Sequence, residues 1–104
     1  MNLGVYEAGA GRYRWRIWSG LRLVAVSGDL FPDRLDAELA ALCFKVDAHD
    51  AAYDVLAIDG SWYWEARDAG GHRVAIASRR FDSAFNARHT AAYVRDHAAQ
   101  ATFA

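Results

Sequence analysis

Hydrophobic and polar residues change their spacing in the same order in the two halves of the chain. In the first half, the runs LGVYE, YRWRIW and LRLVAVS predict three strands, and the middle one alternates strictly over Tyr13–Trp18. The segment FPDRLDAELAALCFKV then has apolar residues at helical spacing, and either Pro32 or Asp33 is placed to open that helix. The pattern predicts a β-β-β-α unit.

The second half follows the same order. The runs YDVLAI and SWYWEAR lie on either side of Asp59-Gly60, a dipeptide typical of tight β-hairpin turns. DAGG then turns the chain into HRVAIAS, and Ser83 is a candidate N-cap for a helix over Ala84–Ala98. The sequence therefore predicts an α+β fold of tandem β-β-β-α repeats, in which one antiparallel sheet carries two helices on one face.

The two halves also match residue by residue, which indicates an internal duplication. Trp15 aligns with Trp64, and FPDRLDAELAALCF aligns with FDSAFNARHTAAYV at a spacing of fifty residues. LVAVS aligns with VAIAS, so that Ser27 falls on Ser78, and the second copy has two extra residues in its turn. We therefore expect a single domain over residues 1–104, built from a first repeat over 1–50 and a second over 51–104.

These motifs resemble those of the YegP-like domain of unknown function. An aromatic strand, a glycine turn, a strand ending in A-x-S and a helix that follows an aromatic residue are found in YRWRIWSG…VAVSGDLF and again in VAIASRRFDSAFNARHTAAYVRDHA. The resemblance covers nearly the whole chain as two tandem copies. It implies one continuous sheet with C-terminal strands exchanged between repeats, Tyr53–Ile58 being the linking strand and ATFA its truncated equivalent. It implies no activity and no catalytic residues.

Composition and charge exclude several classes of protein. An apolar fraction of 54% and a charged fraction of 24% are typical of a globular chain, and no apolar run is long enough to cross a membrane. The net charge of −1 argues against nonspecific nucleic-acid binding, which needs a concentrated positive field. The lone Cys43 cannot form an internal disulfide, and the N-terminus does not read as a secretory signal, so we expect a cytoplasmic protein.

The alternation over Tyr13–Trp18 separates two faces of a strand. Tyr13 and Trp15 lie on one face, and Trp62 and Trp64 hold the matching places in the second half. We expect this face to form the core, because the apolar sides of the helices need a partner and cross-strand aromatic pairs stabilise a sheet by roughly 0.2–1 kcal/mol each. The alternative is a platform for base stacking or a peptide groove.

The opposite face carries the candidate surface for a ligand or partner. Arginine suits carboxylate and phosphate groups, and a large exposed aromatic side chain beside arginine is typical of contact surfaces. The candidate surface consists of five residues expected on this face: Arg14, Arg16, Trp18, Arg22 and Tyr63. The alternative is a solvated sheet face with weak ion pairs, such as one between Arg16 and Glu65.

The two predicted helices differ along one stripe. The first helix has an apolar stripe, whereas the aligned residues of the second helix are mixed in polarity; the stripe consists of Leu35, Leu39, Leu42 and Val46. The first helix is therefore either more deeply buried or in contact with another subunit or partner. Alanines at matching places predict a second helix face that packs closely on the sheet: Ala37, Ala41 and Ala48, and Ala87, Ala91 and Ala98.

No group of residues has the spacing of a catalytic or metal site. His89 and His97 are eight residues apart, not at the i, i+4 spacing of a metal-binding pair, and the acidic loop around His49 lacks an EF-hand pattern. Cys43 has apolar neighbours in the helix, and we expect a buried, unreactive thiol. We expect no catalytic residue, no cofactor and no metal, and we expect Ser27 and Ser78 to bond to the backbone.

Three functional hypotheses remain. The first is a non-enzymatic interaction module that binds a protein partner or a second copy of itself through a sheet face or the stripe of the first helix. The second is a nucleic-acid accessory protein that uses the arginine and aromatic residues of the sheet. The third is a small enzyme, which would need a deep pocket that joins His72, His89 or His97 to a carboxylate.

Overall fold

The computed structural model of the chain describes residues 1–103, in which seven strands form one sheet and two α-helices pack on it. In chain order the elements are β1 (Asn2–Gly9), β2 (Arg12–Ser19), β3 (Arg22–Ser27), α1 (Arg34–Asp47), β4 (Ala52–Ile58), β5 (Ser61–Arg67), β6 (Arg73–Ala77), α2 (Ala84–His97) and β7 (Thr102–Phe103). A 3₁₀ turn over Ala98–Gln100 connects α2 to β7. The predicted α+β class is confirmed. Neither α1 nor α2 has the length and apolar character needed to span a bilayer.

The sheet is mixed, not antiparallel throughout as predicted. Its strand order is β4-β5-β6-β3-β2-β1-β7. Strands β1 to β6 pair antiparallel with their neighbours, whereas β7 pairs parallel with β1 through Thr102 with Asn2 and Phe103 with Leu3. The direction of β7 depends on where the chain returns to the sheet after α2, which is a long-range property that a short apolar segment does not encode.

Side-chain caps set where the two helices begin. Asp33 accepts a hydrogen bond from the backbone N–H of Asp36 (2.8 Å), and Ser83 accepts one from the N–H of Asn86 (3.1 Å). Such a cap supplies an acceptor to an amide that has no partner inside the helix. The N-cap prediction for Ser83 is confirmed, and Asp33, not Pro32, caps α1.

The hairpin between β4 and β5 turns at the predicted dipeptide. Asp59 and Gly60 both have positive φ, 47° and 77°, and Ile58 and Ser61 pair directly on either side of them. Two successive positive φ values match the right-handed twist of the flanking strands. The hairpin prediction is confirmed.

Both helices lie on the aromatic face of the sheet that was predicted to form the core. Trp15 and Trp64 are fully buried, and the ring of Trp15 stacks on Phe44 of α1 with 4.8 Å between centroids. Small side chains allow the helices to approach the sheet closely, and the indole rings fill the remaining space. The six alanines predicted to face the sheet are all buried: Ala37, Ala41, Ala48, Ala87, Ala91 and Ala98.

A β-bulge interrupts the alternation of side chains in β3. Ile17 of β2 lies opposite Ala25, but the next residue, Trp18, lies opposite Leu23, so Val24 is an extra residue. Val24 and Ala25 are consequently both buried in the core. An extra residue reverses which face the following side chains occupy. Strand β6 has the same register shift. Ala66 of β5 lies opposite Ala75, but the next residue, Arg67, lies opposite Arg73, so Val74 is an extra residue.

The pairing of the strands also corrects the alignment of the two serines. Ala25 lies opposite Ile17 of β2 and Ala75 lies opposite Ala66 of β5, each directly after the extra residue, so a comparison of the two strands by their pairing has a spacing of fifty residues and does not bring Ser27 onto Ser78. The Ser27 hydroxyl donates to the carbonyl of Asp29 (2.8 Å), and the Ser78 hydroxyl donates to the carbonyl of Leu23 (2.7 Å). The prediction that both serines bond to the backbone is confirmed.

Candidate interaction surfaces

The face of the sheet opposite the helices carries four of the five candidate residues. Arg14, Arg16 and Trp18 project from β2 and Tyr63 projects from β5, and each of these side chains is half-buried. One row of paired residues crosses this face: Asp54, Glu65, Ile76, Val26, Arg16 and Gly4. The face is therefore basic at β2, aliphatic in the middle and acidic at β4 and β5.

Arg22, the fifth candidate, lies on the helix side of the sheet. It pairs with Ser19, whose hydroxyl forms a hydrogen bond with the hydroxyl of Tyr93 in α2 (3.0 Å). Residues directly opposite one another on paired strands project to the same face. Because the extra residue Val24 reverses the alternation in β3, the prediction that Arg22 shares the face of Arg16 is wrong.

The guanidinium of Arg16 lies between two aromatic rings of the open face. Its central carbon is 4.4 Å from the ring centroid of Tyr6 and 5.2 Å from that of Trp18. A cation–π contact of this kind at a partly exposed site contributes about 0.5–1 kcal/mol. These contacts occupy Arg16 with rings of its own sheet.

Glu65 does not pair with Arg16, the ion pair named as an example in the alternative interpretation of this face. Strands β6 and β3 lie between β5 and β2, so the two residues are three strand spacings apart. The buried Glu65 carboxylate instead accepts from Arg67 (2.8 Å) and lies 3.6 Å from the guanidinium of Arg73. The acidic side of the open face is thus largely neutralised by its own strands.

The leucine stripe of α1 faces away from the sheet. The side chains of Leu35, Leu39, Leu42 and Val46 are between 45% and 76% exposed. The face of α1 that meets the sheet consists of Ala37, Ala41 and Phe44. Of the two alternatives for this stripe, deeper burial is therefore wrong, because the small residues allow close packing of the helix on the sheet and leave the branched side chains on the outside.

Cys43 is exposed, not buried as predicted. Phe44 takes the buried position on the sheet side of α1, and one residue along a helix turns the side chain by about 100°. That rotation brings Cys43 to the rim of the contact between α1 and the sheet.

Three of the four histidines contact separate parts of the structure. The ring of His72 forms a hydrogen bond with the carboxylate of Asp29, His97 Nδ1 lies 2.9 Å from the carbonyl oxygen of Tyr93, and His89 stacks on Phe85. Within residues 1–103, no group of three or more His, Cys, Asp or Glu side chains is placed to hold a metal ion. The contact of His72 with Asp29 joins residues 43 positions apart, so no spacing rule signals it in the sequence.

Known structures share this fold. No protein-family model and no curated protein matches the chain. A protein of unknown function, yegP from E. coli, superposes with a TM-score of 0.79 at 14% identity, over 98% of this chain and 89% of that chain. The UPF0339 protein SO3888 from Shewanella oneidensis superposes with a TM-score of 0.80 at 11% identity, over 98% of this chain and 87% of that one. At such low identity the likeness establishes the fold alone, and this fold is YegP-like.

Proposed function

We propose that this protein is a non-enzymatic interaction module that forms a homodimer through the exposed stripe of α1. The stripe is the observation that supports this proposal, since Leu35, Leu39, Leu42 and Val46 point to solvent from a helix whose other face is packed on the sheet. Together they expose roughly 400 Å² of apolar surface, which is as large as the largest patch of a typical monomer and often marks an interaction site.

The spacing of the stripe suits another helix. The four residues follow one another at intervals of four, three and four positions, which is the a/d spacing of a two-helix seam. In an antiparallel pair related by a two-fold axis, Leu39 packs against Leu42 of the second copy and Leu35 packs against Val46. The stripe is thus complementary to itself, as an isologous dimer interface requires.

The charges beside the stripe favour a second copy of this chain as the partner. Glu38 and Lys45 flank the same side of the stripe, and both are half-buried in the monomer. A two-fold antiparallel pairing brings Glu38 of each copy close to Lys45 of the other. A parallel pairing would place Glu38 beside the uncharged Cys43 instead. Charge complementarity therefore selects the antiparallel arrangement.

The size of the stripe sets the expected affinity. Two such patches with their flanking side chains bury roughly 1,000 Å² in total, at the low end for specific interfaces. We therefore expect a dissociation constant of about 1–100 µM.

Sedimentation velocity tests the proposal. A concentration series from about 5 µM to 500 µM covers most of the range of dissociation constants expected for an interface of this size. The protein should pass from monomer to dimer, and Leu39→Glu should remain monomeric. Phe85→Glu is the matched control, because it places the same charge on an exposed apolar site of α2 and should leave dimerisation unchanged. A wild-type chain that remains monomeric throughout the series would refute the proposal.

A charge exchange tests the antiparallel geometry. Glu38→Lys and Lys45→Glu should each weaken the dimer, because each places like charges opposite one another. The double variant should restore dimerisation, because it exchanges the two partners of the same pair. A double variant weaker than both single variants would contradict this pairing.

We further infer that the chain is a tandem duplication with exchanged strands. Val26 of β3 pairs with Ile76 of β6, its counterpart at a spacing of fifty residues, so the centre of the sheet has an approximate two-fold relation. The strand after α2, β7, pairs with β1 of the opposite half. The free thiol of Cys43 suits a reducing compartment, and we propose on that ground that the module is cytoplasmic.

Nucleic-acid binding through the open sheet face is the second candidate. One observation favours it: Nε of Arg14 is buried without a hydrogen-bond partner among the described residues, and a phosphate oxygen would supply one. The contacts of Arg16 with Tyr6 and Trp18 argue against nucleic-acid binding, because the guanidinium already has partners within its own sheet. Titration with single-stranded RNA or DNA at low salt should quench tryptophan fluorescence in a salt-sensitive way, and Trp18→Phe should reduce the quenching.

A further inference from the structure

A cavity of about 190 Å³ lies between α1 and the sheet, separate from the stripe. Its inner wall is apolar and includes the buried rings of Trp15 and Phe44 together with Phe31 and Val74. Its mouth is polar and is formed by Asp29, Cys43, Asp47, Asp68 and His72. An apolar wall beneath a few polar groups is the usual composition of a small-molecule site.

The cavity is open because of the residue at position 43. Cys43 and Tyr93 are each the tenth residue after the N-cap of their helices. In α2, the Tyr93 hydroxyl reaches the sheet and forms a hydrogen bond with Ser19 (3.0 Å), while its ring stacks on His97 at 4.4 Å. Tyr93 thereby fills the space between helix and sheet, whereas the short side chain of Cys43 leaves the matching space beside α1 empty.

The volumes on the two sides agree with this explanation. Beside α2, the space between Val24, Phe81 and Thr90 amounts to about 10 Å³, compared with about 190 Å³ beside α1. Ala40 stands in α1 at the place that Thr90 holds in α2, so two smaller side chains open the cavity. The helices therefore differ in a way that creates a pocket in one half of the molecule only.

The mouth of the cavity is acidic. Asp29, Asp47 and Asp68 contribute three carboxylates, and His72, which bonds to Asp29, is the basic side chain among the residues that line the cavity. Asp68 is held in place because its carboxylate accepts hydrogen bonds from the backbone N–H groups of Gly70 (3.0 Å) and His72 (2.9 Å). A ligand that enters the aromatic interior therefore passes a rim of negative charge.

We propose that this cavity binds a small organic cation with one aromatic ring, of the arylalkylamine class. The ring packs against Trp15 and Phe44, where apolar surface and aromatic stacking stabilise it. The ammonium group lies at the mouth, where Asp47 and Asp68 provide charge-assisted acceptors. A volume of about 190 Å³ accommodates a molecule of about ten non-hydrogen atoms, which is below the size of drug-like ligands.

Titration with 2-phenylethylamine, followed by ¹H–¹⁵N NMR, tests the proposal. The amine should shift the indole N–H resonance of Trp15 and saturate with a dissociation constant of about 0.1–3 mM, as expected for a ligand of this size. The matched probe is 3-phenylpropionate, which has the same ring and the opposite charge, and it should bind at least about tenfold more weakly because the carboxylates of the mouth repel it.

Cys43→Tyr fills the cavity with the residue that α2 already uses, and it should weaken binding of the amine at least about tenfold. Arg88→Tyr, which places the same ring at an exposed site of α2 away from the cavity, is the control and should bind as the wild type does. Asp47→Asn should weaken the amine about threefold to tenfold and should be measured if Cys43→Tyr does not fold. Repeating the titration in Leu39→Glu separates binding from dimerisation. Three results would each overturn the proposal. They are equal affinity for the amine and the acid, unchanged binding of the amine to Cys43→Tyr, and no binding at about 10 mM amine, well above the expected dissociation constant.

Discussion

Truncation of Phe44 tests the orientation of α1 on the sheet. Phe44 is 3% exposed and stacks on Trp15, so Phe44→Ala removes a buried ring and leaves a hole in the core. Such a substitution costs about 3–5 kcal/mol, of which the aromatic pair accounts for about 0.5–1.5 kcal/mol. We expect a value near 3 kcal/mol, because the new hole joins the cavity beside α1 and water can enter it.

Leu39→Ala is the matched control on the same helix. Leu39 is 53% exposed, so about half of its apolar surface is already in water and its truncation costs about 0.5–1 kcal/mol in the monomer. Urea unfolding followed by tryptophan fluorescence measures both variants at about 0.1 µM protein, about tenfold below the tightest dissociation constant expected for the dimer, so that the chain is mostly monomeric. Phe44→Ala should lower the urea midpoint by about 1–3 M and Leu39→Ala by less than half of that. If Leu39→Ala costs as much as Phe44→Ala, α1 does not lie on the sheet in this orientation.

Two further predictions concern Gly28, directly after β3, and Tyr53 in β4. Gly28→Ala should lower the free energy of unfolding by about 1–3 kcal/mol, because a Cβ there collides with the carbonyl oxygen of Arg73. Gly4→Ala is the control, since Gly4 has open space around it, and it should be close to neutral in urea unfolding. Equal costs for the two variants would contradict the close approach of Gly28 to Arg73. Burial raises the pKa of Tyr53, whose hydroxyl donates to the Ala48 carbonyl (2.7 Å), so the folded chain keeps this proton at a pH where the unfolded chain has lost it. The stability that this protonated hydroxyl contributes is fully present below about pH 10 and is lost as the pH rises above it. Tyr53→Phe should therefore flatten the fall of the melting temperature between about pH 9.5 and 11.5. An unchanged slope would contradict the raised pKa of Tyr53.

Features that depend on neighbouring residues were predictable from the sequence. The cap at Ser83 requires only a side-chain oxygen that accepts from an N–H three residues later in the chain. The turn at Asp59-Gly60 requires two adjacent residues that tolerate positive φ. The buried face of β2 was predictable for a related reason, since strict alternation places Tyr13, Trp15 and Ile17 on one side of the strand. Each of these features is determined by interactions over a few positions.

The orientation of α1 was ambiguous in the sequence. Its leucine stripe and its alanine face are both apolar, and an apolar pattern alone does not rank them. In the structure, the alanines permit an approach that the leucines would prevent, and Phe44 takes the deep position beside Trp15. Close packing, not total hydrophobicity, decides which face is buried.

The candidate surface was partly predictable. Arg14, Arg16, Trp18 and Tyr63 are on the open face as alternation predicts, but Arg22 is not. The bulge that moves Arg22 lies in the pairing of β3 with β2, and no residue type in LRLVAVS requires it.

The order of the elements, the Ser83 cap, the Asp59-Gly60 hairpin and the aromatic core face of β2 were predictable because each depends on residues close together in the chain. Contacts between distant residues determine which side of α1 faces solvent, that His72 meets Asp29, and that a cavity is open beside Cys43 where Tyr93 fills the space beside α2. These outcomes depend on how side chains distant in sequence share a limited volume between helix and sheet. Hydrophobic spacing along the chain carries no information about that volume.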